Sequence, residues 1–189
     1  EELKLRTPNV EDFYPLTPMQ SGLLFHTLTA PETSMYGQQV TCTLSGPLNL
    51  SAFRRAWEVA IQRHPILRTF FLWEGLNAPV QAVQRHVQLE PQSFWVEDWR
   101  ELSPEEQGKR LESFLSADRK CRFELTQAPL MRFALIHLAE ERHQLVWSFH
   151  HILLDGWSVY QILLEVFTSY EALRQGGQLR FNPVRPYRD

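Results

Sequence analysis

The sequence predicts one α/β domain in which strands and helices alternate along the chain. Segments with the two-residue alternation of half-buried strands are separated by segments whose apolar residues recur at helical spacing. The chain has 189 residues, enough for one substantial core, and its 43% hydrophobic and 22% charged residues are ordinary for a globular protein. Because no internal repeat or low-complexity segment is present, one domain accounts for the whole pattern.

Start and stop residues predict two helices in the N-terminal half. Thr17 followed by Pro18 is typical of a helix start, with threonine as the N-cap. Asn49 caps a second helix over residues 50 to about 63, which ends before Pro65. Strands are predicted at residues 37–46, 67–73 and 79–87, the last two as antiparallel neighbours.

The C-terminal half is predicted to contain a helix, a β-hairpin and a longer helix. Ser103, Pro104 and two following glutamates favour a helix that reaches about residue 120. Residues 130–138 and 144–151 form the hairpin, and the second strand is so apolar that we expect it to be central and covered on both faces. The last helix runs from Trp157 to about residue 174.

Charge and hydropathy exclude several classes of partner. The net charge of -3 gives no reason to expect nucleic acid or an anionic membrane surface. No apolar run approaches the ~20 residues needed to cross a bilayer. The chain begins without a basic segment and apolar block, so we expect no signal peptide and a cytoplasmic location.

The segment from Phe149 to Ser158 has the strongest functional pattern, with adjacent histidines followed by an Asp-Gly pair. Neighbouring side chains of a strand point to opposite faces, so one of His150 and His151 is expected inside and the other towards a substrate. Histidine can accept a proton near neutral pH. Gly156 permits a positive φ or close approach of a ligand, and its N–H could donate to developing negative charge.

Asp155 has two possible roles, because it follows His151 by four residues. Its carboxylate either orients His151 or pairs with an arginine that locks the turn.

Two other types of site are disfavoured. No further ligand accompanies His151 and Asp155 at metal-binding spacing, so no metal site is predicted, and a serine hydrolase would need a G-x-S-x-G elbow. Isolated internal histidines such as His64 and His137 are more often core residues than ligands.

Three motifs together resemble the condensation domains of nonribosomal peptide synthetases. Residues 150–156 match the HHxxxDG signature of that family. Residues 14–26 resemble its N-terminal motif, and residues 63–70 resemble its RHxxLRTxF motif. Related acyltransferases share HxxxDG alone, whereas the three motifs in this order favour a condensation domain.

The resemblance implies a fold and a role for each motif. The family fold is a pair of chloramphenicol-acetyltransferase-like lobes, each with a mixed, mainly antiparallel sheet and helices packed on it, and with the catalytic histidine at a tunnel between the lobes. His151 is then the catalytic residue. The implied supporting residues are His150, Asp155, Gly156, Arg63 and Arg68, with one of the two arginines as partner of Asp155, and the tunnel candidates are Met19, Gln20, Trp157 and Ser158.

The resemblance also implies partners and a missing half. Residues 1–178 correspond to the N-terminal lobe, and residues 179–189 to the start of a connector to an absent C-terminal lobe. The intact domain would join a donor thioester to an acceptor amine, both carried on phosphopantetheine arms of peptidyl carrier proteins, beside neighbouring synthetase domains and with no cofactor bound directly. The isolated lobe is expected to be inactive.

Four rivals remain from the residues and the resemblance. Epimerisation domains share HHxxxDG, but the opening Tyr14 to Gln20 fits condensation better. Heterocyclisation domains carry a different aspartate-based signature, and trimeric acyltransferases that use coenzyme A lack the other two motifs. A docking module for carrier proteins without turnover is the non-enzymatic alternative. The form of the N-terminal motif resembles the subtype that accepts a donor ending in a D-residue.

Overall fold

The computed structural model describes residues 9–30, 35–179 and 181 and contains the alternating elements that the sequence predicts. The helices are α1 (Pro18–Thr29), α2 (Leu50–Arg63), α3 (Pro104–Lys120) and α4 (Gly156–Arg174), with a short 3₁₀ helix at Pro65–Arg68. The strands are β1 (Val10–Pro15), β2 (Gly37–Ser45), β3 (Thr69–Leu72), β4 (Val80–Gln84), β5 (Phe94–Asp98), β6 (Met131–Ala139) and β7 (Arg142–His150). All four predicted helices and all five predicted strands are confirmed.

The strands form two sheets, and both are mainly antiparallel. The smaller sheet has the order β1-β4-β3, and the larger has the order β2-β7-β6-β5, in which only β5 runs parallel to its neighbour. This confirms the predicted α/β class with a mixed, mainly antiparallel sheet. The sequence did not predict β1 and β5, because both are short, rich in acidic residues and formed only by pairing with distant strands.

Strand β7 is central in the larger sheet, as predicted, and places the histidine pair at one end of it. It pairs with β2 from His150 opposite Gly37 to Arg142 opposite Ser45, and with β6 on its other side. Trp147 lies in the core, with its ring centroid 4.9 Å from that of Trp57 on α2. Strand β7 has a paired strand on each side, and both of its faces are buried. The core therefore fixes the position of His150.

Helix ends follow from local chemistry. Thr17 and Gln20 form a capping box at α1, and Ser103 and Glu106 form one at α3. Gly176, with a φ of 70°, follows α4 in the left-handed conformation that glycine adopts most readily. Most of the predicted connector, at residues 180 and 182–189, lies outside the described residues.

Asp118 is a buried acid that joins the end of α3 to the larger sheet. Its carboxylate accepts hydrogen bonds from Nε of Arg132 at 2.6 Å, from the Ser148 hydroxyl and from the side-chain amide of Gln39. The side chain of Asp118 is only 5% exposed, so these donors compensate the loss of its hydration.

None of the helices in the described ranges has the length and apolar character required to span a bilayer.

Candidate active site

The three sequence motifs converge on one open cavity of about 520 Å³. The start of α1, the 3₁₀ helix and the turn between β7 and α4 form its walls. Residues of the first motif that line it include Met19 and Gln20, those of the second are His64, Pro65 and Ile66, and those of the third include His151, Asp155, Trp157 and Ser158. Segments separated by more than a hundred residues therefore meet where the sequence predicted chemistry.

His151 lies in the turn between β7 and α4 and is held by two hydrogen bonds. Its backbone N–H donates to the carbonyl of Tyr36 at 2.8 Å, and its Nδ1 lies 2.7 Å from the carbonyl oxygen of Leu154. Because a carbonyl can only accept, Nδ1 carries the hydrogen, and Nε2 of the neutral ring then has the lone pair. This tautomer makes Nε2 of His151 a proton acceptor at the cavity.

His150 is the inward member of the pair and is only 4% exposed. Its Nδ1 accepts a hydrogen bond from the backbone N–H of Ile152 at 3.1 Å, and its Nε2 lies 3.3 Å from the hydroxyl of Thr27. Burial, and to a smaller extent the nearby His151, lower the pKa of His150 to about 4. The predicted division into an inward and an outward histidine is confirmed, although the turn, rather than strand alternation, directs His151.

Asp155 is exposed and serves as the N-cap of α4. Its carboxylate accepts a hydrogen bond from the backbone N–H of Ser158 at 2.7 Å, and the hydrogen bonds of Ser158 are the main cause of its lowered pKa. A carboxylate at a helix start is stabilised by the first N–H groups of the helix. It therefore needs no buried cation as partner.

The prediction that Arg63 or Arg68 pairs with Asp155 is accordingly wrong. Arg63 donates from Nε to Glu165 on α4 at 2.8 Å. Arg68 is buried and donates to backbone carbonyls, and it pairs with Glu11 at 3.3 Å. Both arginines stabilise the surroundings of the cavity, but through partners that the sequence did not indicate.

The predicted tunnel residues differ in how much of their side chain is available. Met19 and Trp157 are 74% and 73% exposed at the cavity, and Ser158 is partly exposed. Gln20 lines the same cavity but is 7% exposed, and its amide exchanges hydrogen bonds of 2.9 and 3.1 Å with Gln81 on β4. Gln20 thus fixes α1 on the smaller sheet.

Gly156 is the first residue of α4 and does not have a positive φ. The alternative that a positive φ requires this glycine is therefore wrong. A Cβ built on it would meet nothing within 4 Å. The backbone at the start of α4 is therefore open to close approach by another molecule.

One residue of the cavity, His64, and its partner Glu165 were missed by sequence reasoning. His64 was placed among core histidines, yet it lines the cavity and its Nε2 lies 3.0 Å from a carboxylate oxygen of Glu165. The position of His64 within the second motif was the available signal, whereas no sequence pattern indicated Glu165.

Among the described residues, no group of three or more His, Cys, Asp or Glu side chains is placed to hold a metal ion.

Comparison with known proteins decides the family. A family model described as Condensation domain matches residues 10–189. The chain belongs to the condensation domain family. It is 46% identical over 181 residues to one of the linear gramicidin synthase proteins of Brevibacillus parabrevis, with 96% of this chain and 2% of that protein covered. It is 36% identical over 182 residues to surfactin synthase subunit 3 of Bacillus subtilis strain 168, with 95% and 14% covered.

Solved condensation domains share the fold of this chain. The starter condensation domain of rhizomide synthetase superposes with a TM-score of 0.79 at 23% identity, covering 90% of this chain and 41% of that one. The first condensation domain of the calcium-dependent antibiotic synthetase, in complex with a substrate analogue, gives 0.80 at 21% identity, with 92% and 42% covered. The chain therefore spans less than half the length of these solved relatives and a small part of the curated ones.

Proposed function

We propose that this chain is the N-terminal lobe of a condensation domain that forms an amide bond between two carrier-bound substrates. The acceptor α-amine attacks the carbonyl carbon of the donor thioester, the C–S bond breaks, and the donor carrier's thiol leaves with a proton. The observation that carries the proposal is the cavity itself. It joins all three motifs and presents Nε2 of His151 as a proton acceptor.

The residues of the cavity contribute to catalysis mainly by positioning the two substrates and by accepting a proton late in the attack. A free α-amine has a pKa near ~8, so a sizeable neutral fraction already exists at neutral pH, and prior deprotonation adds little. Holding two tethered substrates together can supply effective molarities of order 10⁵ M or more. Nε2 of His151 accepts the proton that the attacking nitrogen loses as the tetrahedral intermediate forms.

The partners follow from the family and from the relatives. Donor and acceptor peptidyl carrier proteins deliver the substrates on phosphopantetheine arms, so the chain itself binds no separate cofactor. Its curated relatives are named as synthases of gramicidin and surfactin, which supports a place in a multidomain synthetase. The cytoplasmic location remains an expectation.

A second lobe is needed to close the site. Trp157, Tyr160 and Leu164 are more than half exposed and recur at helical spacing along one face of α4. Such a contiguous apolar face is typical of a surface covered by another domain. The C-terminal lobe would cover it and supply the facing wall of the tunnel, and the isolated chain is inactive for lack of that wall.

The test uses the intact two-lobe domain with separately loaded donor and acceptor carriers. We expect a dipeptide on the acceptor carrier, detected by mass spectrometry, and no product from the isolated chain. Loss of stereochemistry in a carrier-bound residue without amide formation would assign an epimerisation domain instead. Carrier binding without any turnover would assign a docking module.

A further inference from the structure

A second imidazole contributes to the cavity that contains His151. His64 is the C-cap of α2, immediately before the 3₁₀ helix, and its side chain is 20% exposed at the cavity wall. Its Nε2 lies 3.0 Å from Oε2 of Glu165, in the middle of α4. A carboxylate only accepts hydrogen bonds, so Nε2 of His64 carries the hydrogen that it donates to Glu165.

Glu165 is itself held in place, because each of its two oxygens has a separate partner. Oε1 accepts from Nε of Arg63 at 2.8 Å, and Oε2 accepts from His64. The Glu165 side chain is only 18% exposed, and α2 and α4 pack against each other along this contact. A carboxylate fixed by two charge-assisted or polar contacts determines both the place and the orientation of the His64 ring.

Nδ1 of the same ring is left available. Among residues 9–30, 35–179 and 181, no hydrogen-bond partner binds Nδ1 of His64. His64 lines the cavity wall with its ring oriented by Glu165, and a few oriented polar groups usually set the pose of a bound molecule.

We propose that His64 contacts the carrier-tethered substrate chain through Nδ1, and that Glu165 is the positioning residue that orients it. The contacted group is an amide of the pantetheine arm, because the arm offers amide groups at intervals along a chain that must pass the cavity wall. The assignment rests on the proposed function, which is what brings such a chain into this cavity.

Binding of an unreactive ligand tests the contact independently of turnover. The probe is an aminoacyl pantetheine amide, titrated by calorimetry into the intact two-lobe domain. The variants are His64→Ala, Glu165→Gln and the two combined. Glu171→Gln is the matched control, because it makes the same change on the same helix at a glutamate that pairs with Arg174 on the exposed surface.

The expected results are a Kd about fivefold to tenfold higher for His64→Ala and a smaller increase for Glu165→Gln, in line with the loss of one hydrogen bond. The Kd of the control stays unchanged. Because Glu165 acts through His64, the combined variant is no weaker than His64→Ala alone. In turnover with loaded carriers, KM rises by a similar factor and kcat stays within about threefold, as expected for a contact kept throughout the reaction.

Two results would overturn the inference. One is an unchanged Kd in His64→Ala at an unchanged unfolding temperature. The other is an additive loss in the combined variant, which would mean that Glu165 acts only on the stability of the helix pair. An absence of amide formation by the unsubstituted domain refutes the proposed function but leaves the Kd comparison valid, so the two failures are distinguishable.

Discussion

Acidification should destabilise this fold through His150. The buried imidazole has a pKa of about 4 in the folded chain, against its ordinary value of 6.5. Between these values the unfolded chain binds a proton at His150 and the folded chain does not, so stability falls as the pH falls below about 6.5 and the loss is complete near pH 4. The difference between 6.5 and about 4, at 1.36 kcal/mol for each pH unit, corresponds to about 3 kcal/mol.

The assay is urea unfolding of the chain and of His150→Asn at pH 7, 6, 5 and 4. Asparagine places an oxygen near the position of Nδ1, so it can keep the hydrogen bond from the Ile152 N–H. The other titrating groups, including His143 with its lowered pKa, are common to both proteins and cancel in the difference. We expect the stability advantage of the unsubstituted chain over His150→Asn to shrink by about 3 kcal/mol from pH 7 to pH 4.

A difference between the two proteins that stays constant within about 0.5 kcal/mol over this pH range would refute the reasoning, since additive effects at this scale count as no coupling. It would mean that His150 is protonated or solvated in the folded chain, and that the first histidine of the motif is not the inward one.

Three further stability predictions concern other contacts of the fold, each measured by urea unfolding at pH 7. Asp155→Ala should cost only about 1 kcal/mol, the usual value of an N-cap, whereas a loss of 3 kcal/mol or more would indicate a buried ion pair after all. Asp118→Ala should cost about 3 to 5 kcal/mol because it leaves the partly buried Arg132 without its carboxylate partner, and a loss below about 1 kcal/mol would contradict that network. Trp57→Ala should cost about 3 to 5 kcal/mol, since its fully buried ring packs on Trp147, and a much smaller loss would mean that the core collapses around the gap.

Elements with a strong local signal could be predicted from the sequence. The helix starts at Thr17 and Ser103 combine a capping side chain, a proline and a residue that completes the capping box, so local chemistry alone determines them. The continuous apolar run of β7 likewise indicated a central strand. By contrast, β1 has only six residues, two of them acidic, and it forms by pairing with β4, about seventy residues further along the chain.

The site shows the same division between local and distant information. The histidine pair, the Asp-Gly step and the two other motifs were visible in the sequence, and the structure brings them to one cavity. The partners of the arginines could not be predicted, because any nearby carboxylate satisfies a guanidinium and several were available. An arginine partner for Asp155 suits a buried carboxylate, whereas the structure leaves Asp155 exposed at a helix start. Burial is a property of the assembled fold, and it decides such pairings.

In the proposed reaction, His151 accepts a proton during amide formation in the intact two-lobe domain. Single-turnover measurement with both carriers preloaded gives the rate constant of that step directly. For His151→Ala we expect a rate constant at least about a hundredfold lower than that of the unsubstituted domain, the usual scale of lost general acid–base catalysis, with an unchanged unfolding temperature. A rate constant within about threefold of the unsubstituted domain would contradict the claim and leave positioning by the tunnel as the whole of catalysis.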